Sequence, residues 1–223
     1  RVLMTDVTND SLARGLERIH GLVSDATRRR LVTKVQARDT LDRISTTHVP
    51  VPLNRHHLVI EAATESMELK KKIFADLASR VSADTILATN TSALSVSDLA
   101  KTVPNPERVV GLHFFNPVHR MPLVEIITLP ETSPDVLATV VSFVQKLGKT
   151  PVVVKDSPGF LVNRILVPYL MEAVRLHESG IPVKDIDEAM LEFGMPMGPM
   201  RLLDEIGLDV AAHVAKTLAS AFP

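Results

Sequence analysis

The chain has 223 residues, 45% hydrophobic and 23% charged, with a formal net charge of −1, the balance of an ordinary globular protein with no long-range field to draw nucleic acid or anionic lipid. It has no cysteine, which excludes disulfides, thiolate catalysis and cysteine-ligated metals and fits a reducing compartment, here read as the cytoplasm. No apolar run approaches the roughly 18 residues a membrane span requires.

The first residues, Arg1 to Thr5, read as a buried strand rather than a signal peptide, because no basic lead precedes an apolar stretch. A strand that begins at once, on a residue other than Met, suggests a fragment or a trimmed chain. Leu12, Leu16, Ile19 and Leu22 then fall at helical spacing, and helical character continues from Leu31 to Leu41 beyond the basic Arg28 to Arg30. His57 to Ala62 is a compact apolar strand. A helix from Ser66 to Val81 follows, with Lys70, Lys71 and Lys72 expected on its solvated face. Thr85 to Ala88, Arg108 to Phe114, Leu123 to Ile127 and Val152 to Val154 are further strands. A short helix, Val96 to Lys101, and a longer one between Ser133-Pro134 and Gly148 lie among them.

This alternation argues for an α/β fold with a mostly parallel sheet. After Ser157-Pro158-Gly159 only helical patterns remain: Phe160 to Glu178, Val183 to Leu191 and Val210 to Ser220. The expected organisation is an α/β domain over residues 1–156 and an all-α domain over residues 157–223.

Ligands of open α/β sheets sit beyond the carboxyl ends of the strands. Asp6, Glu61 to Glu65, Asn90-Thr91-Ser92 and His113 to Asn116 all fall at such ends. A carboxylate there can accept both hydroxyls of a ribose, or can simply cap the next helix. His113 stands among apolar neighbours, the setting of many structural histidines. Glu125, however, is a charge inside an apolar strand, costly to bury without a partner. If the intervening residues form a hairpin, Glu125 reaches the imidazole, fixes its tautomer and raises its basicity, as a general base requires.

The segments Ile86-Leu87-Ala88-Thr89-Asn90-Thr91-Ser92-Ala93-Leu94, Gly111-Leu112-His113-Phe114-Phe115-Asn116-Pro117 and Met121-Pro122-Leu123-Val124-Glu125, then Asp156 to Leu166 and Pro196-Met197-Gly198-Pro199, occur in this order. Together they resemble the L-3-hydroxyacyl-CoA dehydrogenase family, and the resemblance runs along essentially the whole chain. It implies a Rossmann-like domain that binds NAD, and oxidation of L-3-hydroxyacyl-CoA to 3-ketoacyl-CoA in fatty-acid β-oxidation. It further implies His113 as catalytic base, Glu125 as its partner, Ser92 on the substrate's 3-oxygen near the nicotinamide, and Asn163 on the reacting carbonyl. Asp6 matches the ribose carboxylate, and Ala62, Glu65, Lys70 and Asn116 match other cofactor contacts. Arg28 to Arg30 with Lys34 match a region that meets coenzyme A phosphates, although a solvated face is the default for such a cluster.

One departure is large. The family's G-x-G-x-x-G turn, whose amides cradle a pyrophosphate, is formed by none of the nine glycines. A sheet without its first strand and glycine turn, with a vacant strand edge, is therefore expected. Phrases such as Lys149 to Asp156 and Glu192 to Pro199 look closer to the multifunctional β-oxidation subunits, so the implied assembly is a homodimer or part of a multifunctional complex. No metal-ligand spacing occurs among the eight histidines, and too few aromatics occur to stack a nucleic acid. The alternatives are a 3-hydroxybutyryl-CoA dehydrogenase of a short-chain pathway, and a non-catalytic module that reuses the fold.

Overall fold

A computed structural model of the protein describes residues 1–221, apart from the side chains of His213, Thr217 and Ser220. The last two positions of the expected helical domain, Phe222 and Pro223, lie outside the described residues. The chain forms two compact units, Arg1–Pro52 and a second beginning at Leu53.

In the first unit, strand β1 (Val2–Thr5) pairs in parallel with β2 (Ile44–Thr47), Val2 opposite Ile44. Helices α1 (Asn9–Arg28) and α2 (Lys34–Leu41) connect them. Thr8 caps α1 by accepting from the Ser11 amide, and Thr33 with Gln36 forms a reciprocal capping box on α2. The sequence reading had no strand at β2, because Ile-Ser-Thr-Thr offers one apolar residue and depends on its partner for its hydrogen bonds. β1 is also less buried than expected: Val2 is 60% exposed.

The second unit holds a five-stranded sheet in the order β3 (Leu58–Glu61), β4 (Ile86–Thr89), β5 (Val109–Phe114), β6 (Leu123–Thr128) and β7 (Thr150–Lys155). All neighbours are parallel except β5 and β6. Among the described residues the expected mostly parallel strands fall in two sheets: β1 pairs with β2 alone, and β3 is an edge strand of its own sheet.

Helices α3 (Met67–Arg80), α4 (Val96–Ala100) and α5 (Pro134–Lys146) connect the strands. The core forms where Val136, Val140 and Val144, at helical spacing along α5, pack on Val110, Leu112, Val124 and Ile126 of the central strands. Because strand side chains alternate between faces, Gly111, His113, Glu125 and Ile127 occupy the opposite face. Beyond β7 the described residues form only helices: α6 (Val162–Glu178), α7 (Val183–Phe193), α8 (Pro199–Ile206) and α9 (Leu208–Ala221). The pattern reading missed α8, a two-turn helix entered through Gly198-Pro199. These helices belong to the same compact unit as the five-stranded sheet.

Candidate active site

β5 and β6 are the one antiparallel pair in the large sheet, and their register sets His113 directly opposite Glu125. Residues so paired lie on one face with side chains in reach. His113 Nδ1 and Glu125 Oε2 are 2.7 Å apart. Two steps along the same face stands Gly111, where a Cβ would come within 2.8 Å of Ile127. That position admits glycine because the Ile127 side chain fills the space.

Glu125 is fully buried and His113 is 7% exposed. A bare carboxylate at this depth would be costly. Its second oxygen, Oε1, accepts from the amides of Leu161 and Val162, each at 2.9 Å. Burial alone would raise the Glu125 carboxyl; the bond from His113 and the two amides outweigh it and hold the group below its ordinary range. An ionised carboxylate only accepts, so the proton of the neutral imidazole lies on Nδ1 and Nε2 keeps a lone pair. No side chain among the described residues bonds Nε2.

The two amides are aimed by the Ser157-Pro158-Gly159-Phe160 turn. Gly159 has φ +70°, and a Cβ there would meet Leu218 at 2.7 Å. Phe160 also takes a positive φ, +50°, at a cost of about 1–3 kcal/mol for a residue with a Cβ. Phe160 is 2% exposed, and its ring centroid lies 5.8 Å from that of the imidazole, which has the Phe115 ring at 4.4 Å. Leu161 caps α6 and Val162 begins it, so Glu125 also sits at the positive end of a helix.

Ser92 lies in the turn after β4, the strand beside β5. Asn163, in the first turn of α6, donates from Nδ2 to the Ser92 carbonyl at 3.1 Å. Glu65 Oε1 accepts from Thr91 Oγ1 at 2.6 Å, the Ser92 amide at 2.8 Å, Ser92 Oγ at 3.0 Å and the Ala93 amide at 3.2 Å. Partial burial opposes ionisation of Glu65, but the bonds from Thr91 and Ser92, with Lys70 nearby, lower its carboxyl below the ordinary range. The far end of this loop is fixed by Asp156, which accepts from Ser95 Oγ and from the amides of Val96 and Ser97 at the start of α4.

The expected solvated position of Lys70 is corrected. Lys70 is fully buried, and its Nζ binds both oxygens of Glu61, at 2.8 and 2.9 Å, and the Ala63 carbonyl at 3.3 Å. Glu61 accepts in turn from Thr89 Oγ1 at 2.7 Å. Lys71 and Lys72 follow one step round the helix, and Lys72 is exposed. The signal was present: Lys70, Phe74 and Leu77 are spaced i, i+4, i+7, which puts them on one face, and all three are buried.

Ala62 and Asn116 are exposed at the carboxyl ends of β3 and β5. Asp6 belongs to the first unit. It is exposed after β1, with Oδ1 accepting from the Val7 amide at 2.7 Å and Oδ2 without a partner among the described residues. An exposed carboxylate beyond a parallel strand suits a ribose diol. Arg28 pairs with Asp25 at 2.8 Å, while Arg29, Arg30 and Lys34 are exposed. No group of three or more metal-binding side chains occurs among the described residues, and no helix among them is long and apolar enough to cross a membrane.

A family profile described as 3-hydroxyacyl-CoA dehydrogenase, NAD binding domain, matches residues 1–157, and the profile of that family's C-terminal domain matches residues 159–223. The chain belongs to the 3-hydroxyacyl-CoA dehydrogenase family. It is 43% identical over 222 residues to the fatty acid oxidation complex subunit alpha of Acinetobacter baylyi, covering 100% of this chain but 31% of that protein. The chain therefore spans about a third of the length of the curated relatives it matches.

Two solved structures share the fold closely. The (S)-3-hydroxybutyryl-CoA dehydrogenase of Ralstonia eutropha gives a TM-score of 0.96 at 37% identity, over 100% of this chain and 79% of that one. The 3-hydroxybutyryl-CoA dehydrogenase of Escherichia coli gives 0.95 at 38% identity, over 99% of this chain and 47% of that one. The Rossmann-like reading followed by helices, and the NAD-binding assignment, agree with these matches.

Proposed function

We propose that the protein containing this chain oxidises L-3-hydroxyacyl-CoA to 3-ketoacyl-CoA with NAD, in fatty-acid β-oxidation. The observation that carries this reading is the His113 and Glu125 pair, whose Nδ1 is bonded to a buried carboxylate while Nε2 is left to accept a proton. In this mechanism Nε2 takes the proton of the substrate's 3-hydroxyl as that oxygen becomes a carbonyl. NAD, when bound, supplies the acceptor for the hydride that leaves C3. Glu125 stabilises the imidazolium through one oxygen while its other oxygen stays bonded to the α6 amides, so the ring keeps its orientation through the proton transfer. Ser92 and Asn163, joined at 3.1 Å through the Ser92 carbonyl, orient the 3-oxygen.

In the same reading Asp6 holds the adenine ribose, and Ala62, Asn116 and Glu65 line the rest of the cofactor site. Lys70 contributes through Glu61 and Glu65 rather than by touching the cofactor. The exposed Arg29, Arg30 and Lys34 meet the phosphates of coenzyme A. Residues 1–156 act as the cofactor domain and residues 157–223 as the helical domain. Exposed apolar side chains on the helical segment, among them Ile165 at 66% and Phe193 at 80%, favour burial against a second copy or a further subunit of a multifunctional complex, in the cytoplasm.

A short-chain preference is the second reading, favoured by the two structural relatives named as 3-hydroxybutyryl-CoA dehydrogenases. The test is NADH oxidation by the intact protein with acetoacetyl-CoA and with a long-chain 3-ketoacyl-CoA. Turnover of either supports the dehydrogenase, and the ratio of kcat/KM separates the chain lengths. Absence of turnover with both, in a protein that still binds NADH, would leave a non-catalytic module.

A further inference from the structure

The turn that carries Ser92 rests on one carboxylate oxygen. Glu65 Oε1 receives four donors from residues 91–93, more than its lone pairs can serve equally. Two of them are backbone amides and one is the buried Thr91 hydroxyl, so these three fix the shape of the turn. The fourth, Ser92 Oγ at 3.0 Å, is the longer of the two hydroxyl bonds. It is also the one a ligand oxygen can replace without disturbing the turn.

Behind Glu65 stands a buried charge. Lys70 Nζ lies 3.8 Å from Glu65 Oε2 and is held by Glu61, itself bonded to Thr89 at the end of β4. The Glu65 side chain keeps 27% of its surface accessible, against none for Lys70. The line from Thr89 through Glu61, Lys70 and Glu65 to Ser92 thus runs from buried groups to partly exposed ones.

We propose that Glu65 is a positioning residue for Ser92, holding the Thr91–Ala93 turn and parking the Ser92 hydroxyl on its carboxylate, with Lys70 and Glu61 as the buried anchor behind it. This rests on the reading in which Ser92 meets the substrate's 3-oxygen. It gives Glu65 a task in addition to the cofactor contact that family resemblance implies. With the hydroxyl parked, Ser92 enters each turnover in one rotamer, and exchange of a single bond from Glu65 to the ligand brings it into play.

The test is a double-mutant cycle in the intact enzyme, with thermal midpoints and NADH affinity by fluorescence measured on the same samples. Glu65→Ala should lower kcat on the order of 10–100-fold, as expected when a reacting group is misplaced. The KM for the acyl-CoA should change little, and the affinity for NADH should fall by a smaller factor than kcat. In a Ser92→Ala background the same replacement should lower kcat by no more than about threefold, because the residue it acts through is gone. Glu65→Gln keeps an acceptor oxygen for the turn and should recover most of the rate. An equal kcat loss in both backgrounds overturns the proposal, and so does a loss that simply follows a fall in thermal midpoint. So does a Glu65→Ala enzyme whose defect is confined to NADH affinity, which would leave Glu65 with the cofactor contact alone. If Ser92→Ala alone leaves kcat unchanged, the role of Ser92 fails, and the proposal falls with it by a separate route.

Discussion

Two buried carboxylates of the large sheet, Glu61 at the carboxyl end of β3 and Glu125 in the amino-terminal half of β6, meet their positive or protonated partners in opposite ways. Glu61 chelates Lys70 with both oxygens and takes a further bond from Thr89, and the ammonium is wholly enclosed. Glu125 gives one oxygen to two α6 amides and the other to His113, whose second nitrogen has no partner among the described residues. The first arrangement satisfies every charge inside the protein and suits an anchor. The second leaves one basic atom for an external proton, and suits chemistry. Burial of charge does not separate the two cases; the unfilled hydrogen-bonding position does.

The comparison breaks most visibly at Glu125. In Glu125→Gln the carbonyl oxygen is retained by the Leu161 and Val162 amides, which only donate. The amide NH₂ then faces His113 Nδ1 and forces the proton to Nε2, the wrong tautomer for a base. A kcat loss on the order of 10²–10⁴-fold is expected, comparable to losing the base itself. Single-turnover kinetics should place the loss in the chemical step, and rates near wild type would show that Glu125 does not set the tautomer.

Lys70→Met should act on folding instead. It leaves Glu61 with its carboxylate buried and uncompensated, a change of about 3–5 kcal/mol. Denaturant titration measures it, and a loss under about 1 kcal/mol would mean that Lys70 does not anchor Glu61.

A smaller effect belongs to Asp6→Ala, which removes one exposed ribose acceptor. The KM for NAD should rise up to about tenfold, the equivalent of one hydrogen bond, with kcat nearly unchanged. An effect confined to the KM of the acyl-CoA would contradict the cofactor assignment.

The pH dependence is the gentlest discriminator. Glu65 and Glu125 are both held below the ordinary carboxylate range in the folded protein. Their contribution to stability is therefore complete above the unfolded value of about 4.3 and is lost as the pH falls through the lower folded values. Thermal midpoints of the wild type should decline in that acid window, and Glu65→Gln should decline less steeply. A slope unchanged in the variant would mean that Glu65 is not held ionised by the turn.

Much of this was legible in the residues. The alternation of strand and helix patterns gave the layered fold, and a charge within Met-Pro-Leu-Val-Glu-Ile-Ile pointed to a partner for His113. The amides of Leu161 and Val162 were invisible, because backbone groups leave no side-chain signature and their aim depends on the positive φ of Gly159 and Phe160. Lys70 was misread because three consecutive lysines look like a solvated face, although its helical spacing to Phe74 and Leu77 marked the buried one. β2 was missed because a strand that depends on its neighbour for stability carries little pattern of its own. Asp156 stood inside a recognised motif, yet its capping of α4 sixty residues earlier follows only from the sheet bringing β7 near that helix.

The role of His113 is tested most sharply by His113→Gln in the intact protein, with kcat, NADH affinity and thermal midpoint measured together. The variant keeps a polar side chain of similar reach but has no basic nitrogen. The expected result is a kcat lower on the order of 10²–10⁴-fold, with NADH binding and thermal midpoint close to wild type. A variant that turns over near the wild-type rate would contradict the assignment of His113 as the base.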